Sequence, residues 1–169
     1  MHHSYVLNKI CNLEDAIAEA RFVRKRGGKV VMTCGCFDLL HAGHARYLQE
    51  ARALGSLLIV AVNSDDSVRR LNKGPNRPFH NEHDRAFLLA SLECVDCVVI
   101  FSEDTPEYLL ATIRPEVWCK GGDYTIDTIN QDERRLVESY GGEIAILSGE
   151  EGASTTRLID RITHKGEEE

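Results

Sequence analysis

The sequence contains no apolar run that approaches the ~20 residues needed to cross a bilayer as a helix, and its first residues lack the basic-then-apolar order of a signal peptide. It also lacks an excess of basic residues, since 20 lysines and arginines face 27 acidic residues and give a formal net charge of −7 at pH 7. This balance argues against a broad basic surface for nucleic acid or anionic membrane, although it allows a compact basic pocket. We therefore expect a cytoplasmic protein with neither kind of partner.

Internal repeats, low-complexity segments and an interdomain linker are also absent from the sequence. A chain of 169 residues, 43% of them hydrophobic, can bury its own core but is short for two full domains. We predict an N-terminal helical extension over 1–28, one domain over 29–164 and an acidic tail over 165–169.

The six cysteines lie mostly in or beside apolar runs, which favours reduced thiols over a disulfide framework. The spacings Cys34-x-Cys36 and Cys94-x-x-Cys97 also fit a zinc site or a redox pair. Cys94 and Cys97, however, flank the entry to the apolar run 98–100, which is typical of a buried strand. A zinc or redox protein is therefore the less favoured interpretation.

Short apolar, β-branched runs alternate with segments of helical periodicity. Strands are predicted at 29–33, 57–62, 95–101, 116–119 and 143–147, and helices at 13–23, 44–54, 67–71, 82–92, 105–113, 128–140 and 154–162. Strands joined through helices need crossover connections, so we predict an α/β fold, a Rossmann-like doubly wound parallel sheet in a three-layer α/β/α sandwich. Ligands of such sheets bind beyond the carboxyl ends of the strands, where the strand order reverses.

The loop after the first predicted strand contains Asp38, His41, Gly43 and His44 and leads directly into a helix. Gly43 lets the backbone approach a bulky anion, and the helix N-terminus offers unpaired N–H groups to phosphate. Two imidazoles can add directional donors, which suit phosphoryl transfer because charge develops on the non-bridging oxygens. Two histidines three residues apart can equally share one helical face or bind a metal ion.

This loop resembles the His-x-Gly-His signature of the cytidylyltransferase-like nucleotidyltransferase superfamily. Further segments resemble the branch that makes ADP-heptose: 62–67, Lys-Gly-Pro-Asn-Arg-Pro at 73–78, Asp-Arg at 84–85, 117–124 with Lys-Gly-Gly-Asp-Tyr, and 151–156 with Ser-Thr-Thr. The resemblance implies that ATP and a heptose 1-phosphate give ADP-heptose and pyrophosphate for lipopolysaccharide core synthesis. It also implies Mg²⁺ held mainly through the triphosphate, a homodimer, and functional coupling to a separate heptose kinase.

The resemblance assigns roles to individual positions. His41, His44 and Lys73 would act on the reacting phosphates. Nucleotide binding is assigned to Gly35, Cys36, Phe37, Gly43, His44, Lys120, Gly121, Asp123, Ser154, Thr155 and Thr156. Substrate binding is assigned to Asp38, Asn63, Asp65, Arg77 and Arg85. Gly43 and Thr156 should therefore border one shared anion site.

Several of these positions have structural alternatives. Asp38 can cap a turn, Arg77 and Arg85 can pair with structural carboxylates, and Lys73 can be solvated surface. The Ser-Thr-Thr segment can be an ordinary helix N-cap.

The chain also departs from the family pattern. Cys34 replaces an expected asparagine, and Gly149 and Ile159 stand where some relatives carry arginine, for which Arg157 or Arg161 can compensate.

Two other functions fit the sequence. One is a CTP-dependent cytidylyltransferase acting on glycerol 3-phosphate or another alcohol phosphate, and the other is a nucleotide-binding module without turnover. The apolar stretch 87–99 fits a dimer surface, although a core strand and helix would have the same pattern.

Overall fold

The computed structural model describes residues 3–72, 74, 76–122, 124–147 and 159. The helices in this part are α1 (His3–Leu7), α2 (Leu13–Lys25), α3 (Ala42–Ala53), α4 (Asp65–Arg70), α5 (Glu82–Ala90), α6 (Glu107–Ile113) and α7 (Gln131–Ser139). The strands are β1 (Val30–Gly35), β2 (Leu57–Asn63), β3 (Cys97–Phe101), β4 (Val117–Gly121) and β5 (Glu143–Leu147). Among these described helices, none has the length and apolar character needed to cross a membrane.

The five described strands form one parallel sheet in the order β3-β2-β1-β4-β5. β1 pairs with β2 on one side and with β4 on the other, so the strand order reverses at β1. This arrangement confirms the predicted Rossmann-like doubly wound sheet. The carboxyl ends of β1 and β4 therefore border the place where such sheets bind their ligands.

Helices cover both faces of the sheet because neighbouring strand residues point to opposite sides. On one face, α2, α6 and α7 pack on alternate residues such as Met32, Ile59 and Trp118. On the other face, α3 and α5 pack on the intervening residues, including Val31 and Val60. All seven residues of β2 are buried, which explains its unbroken apolar sequence.

The N-terminal segment is part of this packing. The side chain of Asn12 accepts a hydrogen bond from the Asp15 N–H at 2.9 Å and caps α2, whose Ala16 is fully buried. Just before α2, the Cys11 N–H donates to the Val98 carbonyl at 2.9 Å. The segment thus covers part of the outer edge of β3. The short α1 was not predicted, because five residues carry too little periodicity.

Several element boundaries differ from the prediction. β1 and β4 extend to Gly35 and Gly121, so both glycines end strands instead of lying in loops. The helix predicted at 128–140 begins at Gln131, because the Asn130 side chain accepts hydrogen bonds from the backbone N–H groups of 132 and 133. All six cysteines are among the described residues, and no disulfide bond links them.

Candidate functional site

Two histidines come together where β1 leads into α3. His41 is the N-cap residue of α3, with extended backbone and no capping hydrogen bond from its side chain. His44 lies in the first turn, and the two imidazoles stack with ring centroids 3.8 Å apart and an interplanar angle of 25°. Gly43 between them is buried. The stacked pair therefore lies at a helix N-terminus, at the carboxyl edge of the central strand.

The Nδ1 atoms of His41 and His44 are both buried and have no hydrogen-bond partner among the described residues. Buried polar atoms without a partner are rare in folded proteins and call for an explanation. A ligand bound at these rings provides one, since the described residues supply no partner to either Nδ1 atom.

Burial lowers the pKa of His44 to about 4, and the neighbouring His41 adds to this shift. Burial also lowers the pKa of His41. Both imidazoles are therefore neutral near pH 7, and each offers one N–H donor and one acceptor. A ring with such a low pKa is a weak base, so the pair suits hydrogen bonding to phosphate better than proton removal.

Phe37 shapes the loop before the histidines. Its backbone has a positive φ of 47°, and its ring meets His44 edge-on at 5.3 Å. A Cβ on Gly35 would lie 3.0 Å from the Phe37 ring, so glycine permits this close packing. Cys36 is buried, and its thiol donates to Asn63 Oδ1 at 3.7 Å. The structure thus gives Cys36 and Phe37 packing contacts inside the loop.

Asp38 anchors the segment that precedes α5. It is 1% exposed, and its carboxylate accepts hydrogen bonds from Arg77 Nε at 2.8 Å, Phe79 N at 2.7 Å and His80 N at 3.1 Å. The ion pair is the structural alternative for Arg77, whereas Asp38 holds the segment 77–80 instead of capping its own turn; the substrate-binding roles of both stay predictions. A carboxylate occupied in this way is poorly suited to bind a metal ion, and the described residues contain no cluster of three or more metal-binding side chains.

Arg85 is 0% exposed, and its described contacts are with the protein, so its contact with substrate stays a prediction. Its Nη1 donates to the carbonyls of Cys36 at 2.8 Å and Asn63 at 2.7 Å. Its Nε donates to the His80 carbonyl at 3.0 Å, and its Nη2 pairs with Asp65 at 2.7 Å. Arg85 therefore joins the histidine loop, the end of β2 and the entry to α5.

Asn63 and Asp65 lie beside Arg85 at the end of β2. Asn63 is buried, and its Nδ2 donates to Ser67 Oγ at 2.9 Å. The backbone N–H of Asp65 donates to Glu82 Oε2 at 2.7 Å. The described hydrogen bonds of both predicted substrate-binding residues are therefore with other residues of the protein.

The carboxyl end of β4 carries Lys120 and Gly121. The Lys120 ammonium lies 2.7 Å from Glu133 Oε2. A Cβ on Gly121 would lie 2.7 Å from the Tyr47 ring, whose hydroxyl is 2.6 Å from Thr33 Oγ1. Sequence reasoning did not identify Tyr47 or Glu133. The spacing of Tyr47 three residues after His44, on the same helical face, was the available signal.

Several predicted site residues lie outside the described residues: Lys73, Asp123, Ser154, Thr155 and Thr156, together with Gly149, Arg157 and Arg161. Of the helix predicted at 154–162, Ile159 alone is described, with helical backbone. The shared anion site of Gly43 and Thr156 therefore stays a prediction.

Known proteins resemble this chain along most of its length. The sequence model described as cytidylyltransferase-like matches residues 32–161. Curated relatives named Bifunctional protein HldE are 48% identical over 99% of the chain in Syntrophotalea carbinolica, 49% over 96% in Pelobacter propionicus and 51% over 91% in Geotalea uraniireducens. The chain spans about a third of these relatives, namely 34%, 33% and 31% of their lengths.

Solved structures are similar as well. The lipopolysaccharide core biosynthesis protein from Thermoplasma volcanium is 28% identical with a TM-score of 0.60, and the match covers 73% of this chain and 98% of that one. The pantoate-beta-alanine ligase from Francisella tularensis is 14% identical with a TM-score of 0.61, covering 89% and 72%, and this second likeness concerns the fold alone. With its stacked histidines at the switch point of the sheet, the chain belongs to the cytidylyltransferase-like family of nucleotidyltransferases.

Proposed function

We propose that this chain transfers AMP from ATP to a heptose 1-phosphate, giving ADP-heptose and pyrophosphate for the synthesis of the lipopolysaccharide core. The observation that carries the nucleotidyl transfer is the stacked pair of His41 and His44 at the N-terminus of α3, whose buried Nδ1 atoms have no partner among the described residues. The identity to proteins named HldE and the likeness to a lipopolysaccharide core biosynthesis protein support the sugar substrate.

In the proposed reaction, a phosphate oxygen of the sugar phosphate attacks the α-phosphorus of ATP. A new P–O bond forms there, the bond between the α-phosphorus and the bridging oxygen to the β-phosphate breaks, and its electron pair leaves with pyrophosphate. The attacking group is already an anion at neutral pH, so the reaction needs positioning and charge stabilisation more than a base. The neutral His41 and His44 rings and the N–H groups at the start of α3 can donate to the charged oxygens.

Mg²⁺ enters this proposal as part of the substrate, MgATP. The described carboxylates near the histidines do not fit a resident metal ion, because Asp38 is taken up by three donors and Asp65 pairs with Arg85. The role of the chain is then to bind the phosphates, while the metal ion reduces their charge.

The test is an assay of pyrophosphate release by the purified chain, with each of the four nucleoside triphosphates and a panel of phosphorylated acceptors. The panel includes heptose 1-phosphate, other sugar 1-phosphates and glycerol 3-phosphate, and mass spectrometry identifies the product. We expect release to require both ATP and heptose 1-phosphate. Release with CTP and glycerol 3-phosphate instead would establish the cytidylyltransferase alternative, and nucleotide binding without turnover would establish the binding module.

The homodimer, a cytoplasmic location and the coupling to a separate heptose kinase belong to the same proposal. Light scattering during size-exclusion chromatography tests the dimer. A coupled assay with a purified sugar kinase, compared with direct addition of its product, tests whether the two activities assist each other.

A further inference from the structure

Glu133, in the first turn of α7, carries a buried carboxylate. Its described contacts involve neither the two histidines nor Asp38 and Arg85. It is 4% exposed, and its Oε2 accepts a hydrogen bond from Trp118 Nε1 at 3.2 Å. The same oxygen lies 2.7 Å from Lys120 Nζ, and the ammonium lies 4.9 Å from the centroid of the Trp118 ring. Glu133 and Trp118 therefore hold the lysine from two sides.

The position of Lys120 connects this cluster to the histidine loop. Thr33 of β1 is level with Cys119 of β4 in the sheet, so the next residues, Cys34 and Lys120, are neighbours across the two strands. β1 continues from Cys34 into the loop that carries His41. Lys120 thus lies at the carboxyl edge of the sheet, next to the switch point, and its ammonium is on the face that α7 covers.

A structural role alone explains this arrangement poorly. A buried ion pair adds little to the free energy of folding compared with well-packed apolar side chains, because desolvation of both charges offsets their attraction. The Lys120 and Glu133 side chains are 15% and 5% exposed. An ammonium has three N–H donors, so Lys120 can keep its bond to Glu133 while it donates to a further acceptor.

On the basis of the proposed function, we propose that Glu133 is a positioning residue that holds the Lys120 ammonium ready to donate to an anionic oxygen of ATP. Trp118 completes the arrangement, because its indole N–H fixes the Glu133 carboxylate and its ring supports the ammonium. Lys120 then contacts the nucleotide and Glu133 acts through Lys120.

The charge state of Lys120 supports this role. Burial by itself lowers the pKa of Lys120, but Cys34 on β1, Glu133 on α7 and Tyr124 after β4 together raise it above its ordinary value. Lys120 is therefore protonated near pH 7. When glutamine replaces Glu133, one of the groups that raise the pKa of Lys120 is removed. The lysine should then lose its proton at a lower pH.

Calorimetric titration of ATP into the full chain, from pH 7.5 to 9.5, tests the proposal with the wild type, Glu133→Gln, Lys120→Met and the double variant. We expect Lys120→Met to weaken ATP binding about tenfold, the equivalent of one charge-assisted hydrogen bond. Glu133→Gln should weaken it by a few-fold at pH 7.5 and increasingly as the pH rises. The double variant should bind as Lys120→Met does, because one residue acts through the other.

Glu116→Gln is the matched control, since Glu116 pairs with Arg24 just before β4, at the opposite end of the strand. It should lower the melting temperature and leave ATP affinity within about twofold of wild type. ATP affinity of Lys120→Met within twofold of wild type would overturn the proposal, as would an undiminished effect of Glu133→Gln in the Lys120→Met background. If Glu133→Gln does not fold, Glu133→Asp is titrated in its place, because the shorter carboxylate reaches Lys120 less well and should weaken ATP binding in the same direction.

These titrations need no sugar phosphate and no turnover, so they are independent of the heptose assay. A parallel titration with CTP tests whether the chain binds CTP instead of ATP. Tight CTP binding that both substitutions weaken would refute the proposed function and support the positioning role.

Discussion

Replacement of His44 by alanine should lower kcat by about a hundredfold, which corresponds to ~2.7 kcal/mol and to the loss of one fixed donor to a developing charge. The His44 ring is neutral near pH 7 and lies at the N-terminus of α3, where it can donate to a phosphate oxygen. Its buried Nδ1 has no partner among the described residues, so removal of the ring relieves an unsatisfied polar atom. The melting temperature should therefore change by no more than about 3 °C.

The assay is pyrophosphate release under saturating substrates, together with thermal unfolding of the same preparation. His83→Ala is the matched control, because His83 is exposed on α5, and its turnover should equal that of the wild type. His41→Ala should resemble His44→Ala, and the double variant should lose less than the product of the two single effects, since the rings are in contact. Turnover of His44→Ala within threefold of wild type would refute the reasoning.

Two further predictions concern stability. Arg85→Met should lower the free energy of unfolding by about 3–5 kcal/mol, because Asp65 and three carbonyls lose a buried donor; urea denaturation measures this, and a loss below about 1 kcal/mol would contradict it. Glu116→Gln should destabilise the chain near pH 7 and much less near pH 3. Burial raises the pKa of Glu116, but hydrogen bonds from Arg24 and the Val30 N–H outweigh it and hold the pKa below the ordinary value. This stabilisation is present above the unfolded pKa and is lost as the pH falls through the folded one. Melting curves of both proteins from pH 7 to 3 should converge, and a constant difference would exclude the mechanism.

The strands were predictable because a strand that is buried on both faces has an almost unbroken apolar sequence. β2 is apolar along nearly its whole length, and its structure agrees with the prediction to within one residue. The first residue of a helix is harder to predict, because residue types that can cap a helix are common. Thr128 has a suitable hydroxyl, but it uses it in a turn with Thr125, and Asn130 caps α7 instead. Sequence patterns cannot show which of two nearby caps is used.

The candidate site was predictable where its residues are adjacent in sequence and much less where they meet across the fold. His41, Gly43 and His44 lie within one turn of α3, so their proximity follows from the chain itself. Asp38 and Arg77 are separated by 39 residues and Asp65 and Arg85 by 20. An arginine that binds phosphate and an arginine that pairs with a carboxylate look the same in a sequence, because the guanidinium serves both partners.

The most buried ion pairs of the described residues all lie at the functional edge of the sheet. The side chains are 13% and 0% exposed in Arg77–Asp38, 0% and 22% in Arg85–Asp65, and 15% and 5% in Lys120–Glu133. Ion pairs on helix surfaces are open by comparison, as in Arg135–Asp132 with 70% and 69%. Two of these pairs also satisfy backbone groups, since Asp38 accepts from the N–H groups of 79 and 80 and Arg85 donates to the carbonyls of Cys36, Asn63 and His80. An apolar core could give equal stability, but it could not hold the backbone of the histidine loop at Cys36 and Asp38, and a phosphate site built from preorganised donors needs that fixed geometry.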